Sequence, residues 1–127
     1  MLQRGDLLPH FAVKTLDGSA MTYSTIWQRK NLLLVTLPVG LDLPSRAYVS
    51  QLNILWQELS SQQSECVVTQ DSAPGMPGPA ALVADRWGEI VHVVAGSDVA
   101  DLPTPEDLVD WIRYVENQCP ECEGEAK

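Results

Sequence analysis

Apolar residues recur along this chain with three different spacings, and each spacing marks a kind of element. Phe11, Val13 and Thr15 alternate with polar or small neighbours, Asp17-Gly18 offers a turn and Met21-Thr22-Tyr23 returns. That pattern predicts a β-hairpin over residues 11–23. Ser24 or Thr25 would cap a short helical turn holding Ile26 and Trp27. Leu32–Leu37 is apolar throughout but for Thr36, as a strand covered on both faces is. From Ser45 to about Gln62 the spacing becomes helical, with Val49, Leu52, Leu55, Trp56 and Leu59 on one face. A second buried strand is expected at Cys66–Gln70. The run Asp71-Ser72-Ala73-Pro74-Gly75-Met76-Pro77-Gly78-Pro79 is a loop.

Ala80–Ala84 and Glu89–Val94 are read as two strands of an antiparallel hairpin turning at Asp85-Arg86-Trp87-Gly88. A last helix starts at Pro105, capped by Thr104, with Glu106 and Asp107 at the positive end of its dipole. Leu108, Trp111, Ile112 and Val115 form its apolar face, and Cys119-Pro120 is expected to end it. The order of elements describes a mixed sheet with helices on its faces, an α/β fold. We divide the chain into one domain, residues 1–118, and an acidic tail, residues 119–127.

With 45% hydrophobic residues in a chain of 127, a single core can be buried without staples. The net charge of -9 repels phosphate backbones, which argues against nucleic acid as a partner. No apolar run approaches the ~20 residues of a membrane span. Asp6, Pro9 and His10 interrupt the apolar stretch a signal peptide would need, so the expected location is the cytoplasm. Three cysteines make no disulfide framework, and Cys66 inside an apolar run is read as a buried, inert thiol.

Four local features, in order along the chain, resemble thioredoxin-like redoxins, in particular peroxiredoxins of the alkyl hydroperoxide reductase and thiol-specific antioxidant group. Gly5-Asp6-Leu7-Leu8-Pro9-His10-Phe11 is similar to the family's opening Gly-Asp-x-x-Pro-x-Phe, with Leu16-Asp17-Gly18 at its hairpin. Asp42-Leu43-Pro44-Ser45-Arg46 stands where the family's thiol-disulfide oxidoreductases carry Cys-Pro-Pro-Cys-Arg. Pro79 stands where the family has a cis-proline, and Asp85-Arg86-Trp87-Gly88-Glu89-Ile90 is similar to the hairpin that follows it. The resemblance covers about residues 5–118 and implies a thioredoxin-like sheet flanked by helices. One family helix is missing, because the prolines and glycines between Gln70 and Pro79 cannot form it. Part of the sheet, or the flank of the Ser45–Gln62 helix, is therefore expected to lie uncovered. With four tryptophans available for an apolar patch, a homodimer or another protein partner is expected.

The resemblance also implies a reactive thiol, and the chain lacks it. Against the peroxiredoxin signature Pro-x-x-x-Thr-x-x-Cys, Pro38 is followed by Asp42 and Ser45. In both alignments serine or aspartate replaces cysteine. Peroxide reduction and disulfide exchange need a thiolate, and a serine hydroxyl is neither ionised nor reversibly oxidised. Asp42, Ser45 and Pro44 do suit a helix start, so a structural role is expected, with Arg46 following.

Cys119-Pro120-Glu121-Cys122 is the remaining thiol motif. It follows a helix C-terminus and sits among Glu116, Glu121, Glu123 and Glu125, which raises thiol pKa and disfavours a nucleophile. Three readings stay open: plain thiols, a cycling dithiol, or half of a zinc site completed by a second subunit, carboxylates, His10 or His92. The leading expectation is a redoxin with a degenerate active site and residual thiol redox work through Cys119 and Cys122. The alternative is a non-enzymatic binding or assembly module, with the tail pair as a metal clip or as plain thiols. A small-molecule binder using the cleft between Asp42–Ser45 and Gly78-Pro79 is a third.

Overall fold

A computed structural model describes residues 2–38, 40, 42–71 and 78–117. Two short strands, β1 (Ala12–Lys14) and β2 (Ala20–Thr22), form the expected N-terminal hairpin. β3 (Asn31–Thr36), β4 (Ser64–Thr69), β5 (Ala80–Ala84) and β6 (Ile90–Ala95) form a mixed sheet in the order β4-β3-β5-β6. β3 and β4 run parallel, while β5 is antiparallel to β3 and to β6. The apolar run Leu32–Val35 of β3 and the apolar β5 follow from their central place, where every residue is buried from both sides.

Helices α1 (Leu43–Leu59) and α2 (Pro105–Asn117) lie on one face of the sheet. Leu33, Val35, Ala81, Val83 and Val91 meet Leu52, Leu108, Ile112 and Val115 there. The helices run side by side in the same direction. Tyr48 Oη donates to the Pro103 carbonyl at 2.5 Å and Gln51 Nε2 to Glu106 Oε1 at 3.0 Å. At the far end Glu116 accepts from the Ser61 hydroxyl and, at 2.5 Å, from the Ser64 hydroxyl. α1 stops before the expected Gln62 because Ser60 turns left-handed at φ 49° and its hydroxyl bonds the Gln57 carbonyl.

Three expectations are corrected. Among the described residues no helix stands between β4 and β5, yet the sheet face turned away from α1 and α2 is not bare. Leu8, Val13, Tyr23 and Ile26 of the N-terminal segment pack on Leu32, Leu34, Leu82 and Ile90, so this segment supplies the cover. Ser24 and Thr25 do not cap a helical turn; they lie within the 3₁₀ turn Tyr23–Thr25, whose N-cap Thr22 makes no side-chain cap bond. Pro79 is not a cis-proline. Among the described residues no peptide bond is cis, and Gly78 makes the bend instead with φ +64°.

Candidate functional site

The site to test is the end of the sheet where β3 runs out and α1 begins. Pro38 leaves β3, and its carbonyl accepts from Gln70 Nε2 at 3.1 Å, which fastens the loop to the end of β4. Thr36 Oγ1 donates to the Gly78 carbonyl at 3.1 Å, drawing the approach to β5 to the same place. Asp42 and Ser45 at the start of α1 and Gly78 and Pro79 before β5 thus belong to segments that converge on one end of the sheet, as the resemblance implies.

The local chemistry there is that of a helix cap. Asp42 is extended at φ -83°, ψ 178°, and its Oδ1 accepts from the Ser45 N–H at 2.9 Å. Pro44 fills the first turn, where its missing N–H costs nothing. The adjacent Ser45 hydroxyl and backbone N–H hold the Asp42 carboxyl below its ordinary value of 3.8. Ser45 itself is 0% exposed. Its Oγ is close enough to Asp42 to act on the carboxyl electrostatically but makes no hydrogen bond of normal geometry. A fully buried hydroxyl is not accessible to a substrate. Arg46 is exposed, and among the described residues it makes no ion pair with Asp42.

The remaining candidates are scattered. Cys66, the one thiol among the described residues, lies in β4 beneath α1. Burial, then the charge of Glu65, pushes its pKa up to about 12, the inert thiol expected from its apolar surroundings. It borders a cleft of about 480 Å³ between the β1–β2 turn and α1, walled by Val49, Asn53 and Trp56. His10 packs at the other end of the molecule, edge-on to Trp27 at 5.0 Å and against Tyr23 at 5.4 Å. Cys119 and Cys122 lie outside the described residues. Among the described residues no three histidine, cysteine or acidic side chains are grouped to hold a metal.

Sequence reasoning missed one recess among the described residues. Between β6 and α2 opens a groove of about 760 Å³. His92 stacks on Trp111 at 4.6 Å and 13°, and Trp111 meets Tyr114 at 5.7 Å and 85°. Desolvation, and the positive charge of Arg4, push the His92 pKa down against a smaller opposing effect of Asp107. The pairing depends on a register shift near Val83 and Ala84. Ile90 faces the N-terminal segment, Val91 the helices, and His92 stays on the helix side to reach Trp111. Trp111 was legible on the apolar face of α2, but its partner His92 on β6 had no local signal.

No family model and no curated relative matches the chain. Solved structures do. The yeast mitochondrial 1-Cys peroxiredoxin superposes with a TM-score of 0.67 at 13% identity, over 94% of this chain and 84% of that one. The reduced 2-Cys peroxiredoxin of Plasmodium vivax gives 0.66 at 14%, over 91% and 99%. A thioredoxin-family thiol:disulfide interchange protein from Chlorobium tepidum gives 0.64 at 13%, over 91% and 99%. Identity this low speaks to architecture alone, and with the hairpin, the β4-β3-β5-β6 order and the converging loops it establishes that this chain has the thioredoxin-like fold of the redoxins.

Proposed function

We propose that this protein is a redoxin-fold binding module whose thiol site at the β3–α1 junction has become a structural helix cap. The observation that carries the reading is Ser45, fully buried and with its N–H bound to Asp42 at the position where the resembling families place a thiol. Cys66 offers no substitute, since its thiol pKa of about 12 leaves it protonated at neutral pH. Any thiol-disulfide exchange would then belong to Cys119 and Cys122.

Insulin reduction with dithiothreitol as electron source, on the wild-type protein and a Cys119→Ser/Cys122→Ser variant, tests the assignment. No acceleration by either protein is the expected result for a binding module. Acceleration lost in the variant would move the reading to a redoxin working through its tail pair. Acceleration retained in the variant would contradict both, because it would demand a reactive thiol in the folded domain.

A further inference from the structure

We propose that the groove between β6 and α2 binds an extended basic peptide segment of a partner protein, seating a lysine or arginine side chain in the corner formed by Trp111 and Tyr114. This rests on the binding-module reading and names the partner chemistry for it.

Three observations converge. The two rings meet at 85°, and His92 covers one face of Trp111 at 4.6 Å, so the corner is rigid and aromatic, a setting that attracts an alkylammonium or guanidinium group. Asp107 and Asp110 stand on the same helix along the groove wall. Arg113 only partly engages Asp110, at 3.6 Å and largely in solvent. Arg4 sits in the wall as well and repels a cation from its own neighbourhood, directing it toward the carboxylates.

The strand beside the groove is the third observation. β6 is the edge of the sheet. On its outer side the N-terminal segment bonds Ile90, with Gly5 N–H to the Ile90 carbonyl at 2.8 Å and Ile90 N–H to the Asp6 carbonyl at 2.9 Å. Gly5, at φ +91°, ends this pairing toward the N-terminus, and Arg4 next to it lines the groove. Among the described residues nothing pairs with β6 beyond that point, next to His92 and Val94 in the groove. An open strand edge accepts extended backbone, and alternate side chains of that backbone would face the groove. A second copy of this chain is a poor occupant, because its net charge of -9 opposes an acidic groove.

The probe is the blocked peptide acetyl-Val-Lys-Val-Lys-Val-amide, titrated calorimetrically into the full chain, beside the same peptide with glutamate for lysine and beside tetramethylammonium. Binding of the lysine peptide alone is expected. Tyr114→Ala and Asp107→Asn, both exposed positions, should each weaken it roughly tenfold, the scale of one partly desolvated cation contact. Trp87→Ala, outside the groove lining, should leave it unchanged. Circular dichroism confirms that each variant is folded. The proposal is overturned by absence of binding, by equal binding of the glutamate peptide, by variants that bind like wild type, or by tetramethylammonium binding as tightly as the peptide. A failed titration with no thiol activity removes this groove assignment only, whereas thiol activity retained without Cys119 and Cys122 removes the binding-module reading itself.

Discussion

At Ser45 the backbone and the side chain meet different fates. Its backbone N–H is bonded to the Asp42 carboxylate, while its buried hydroxyl, without a partner of normal hydrogen-bond geometry among the described residues, combines a desolvation cost with a favourable effect on that carboxylate. Ser45→Ala should therefore leave stability within about 1 kcal/mol of wild type in chemical denaturation. A larger loss would mean that the hydroxyl has a full hydrogen-bond partner. Asp42→Ala should lower the melting temperature, because it removes the cap of α1. The pH dependence has a definite sign. The Asp42 carboxyl is held below 3.8 in the fold, so the native state favours its ionised form. Its contribution is present above that range and is lost as pH falls through the folded value. The difference in melting temperature between wild type and Asp42→Ala should accordingly shrink in acid. For Cys66, partly buried beside the cleft and with its thiol pushed up to about 12, Ellman's reagent at pH 8 should react more slowly in the folded than in the unfolded protein. Equal rates in the Cys119→Ser/Cys122→Ser background would contradict that.

At the scale of elements, much was legible in the sequence where the signal is local. The apolar run of β3, the Asp42 and Thr104 caps and the Asp85–Gly88 turn each fall within a few residues. Thr104 Oγ1 accepts from the Asp107 N–H at 3.2 Å as expected of a cap. What was not legible depends on residues far apart. The cover that Tyr23 and Ile26 give to Leu32 and Leu82 needs the whole N-terminal segment folded back, and no local pattern announces it. The stacking of His92 on Trp111 needs the register shift between β5 and the start of β6, and the chain reversal that brings α2 back. The link between α2 and β4 is similar: Glu116 gathers the hydroxyls of Ser61 and Ser64, more than fifty residues away. Glu116→Ala leaves both hydroxyls without that charged acceptor and should cost about 1–3 kcal/mol by denaturant unfolding. No measurable change would mean that water replaces the carboxylate freely.

At the scale of the molecule, a layered sheet positions two distinct surfaces at different places. At the β3–α1 end, among the described residues, the Asp42 cap and cross-loop bonds hold the chain, with Pro38 bonded to Gln70 and Gly78 to Thr36. The β6–α2 side is open, aromatic and acidic. The sheet face turned away from the helices is covered, which removes that surface as the basis for a homodimer, while the flank of α1, the other surface expected to lack cover, borders an open cleft at Val49, Asn53 and Trp56. The exposed apolar side chains instead include Leu7 (71%), Trp27 (37%) and Trp87 (51%), and Trp27 Nε1 donates to the Trp87 carbonyl at 3.2 Å. A homodimer built on them would be opposed by the charge of -9 and should strengthen with salt in sedimentation velocity. Among the described residues no helix is long and apolar enough to cross a membrane.

The central claim is that the folded domain has exchanged its thiol chemistry for a helix cap. Steady-state hydrogen peroxide consumption with excess dithiothreitol, on the Cys119→Ser/Cys122→Ser variant, tests it most directly. The account predicts consumption no faster than dithiothreitol alone, with Cys66 recovered as a free thiol on peptide mapping. Turnover above that background, with oxidation found at Cys66, would contradict it.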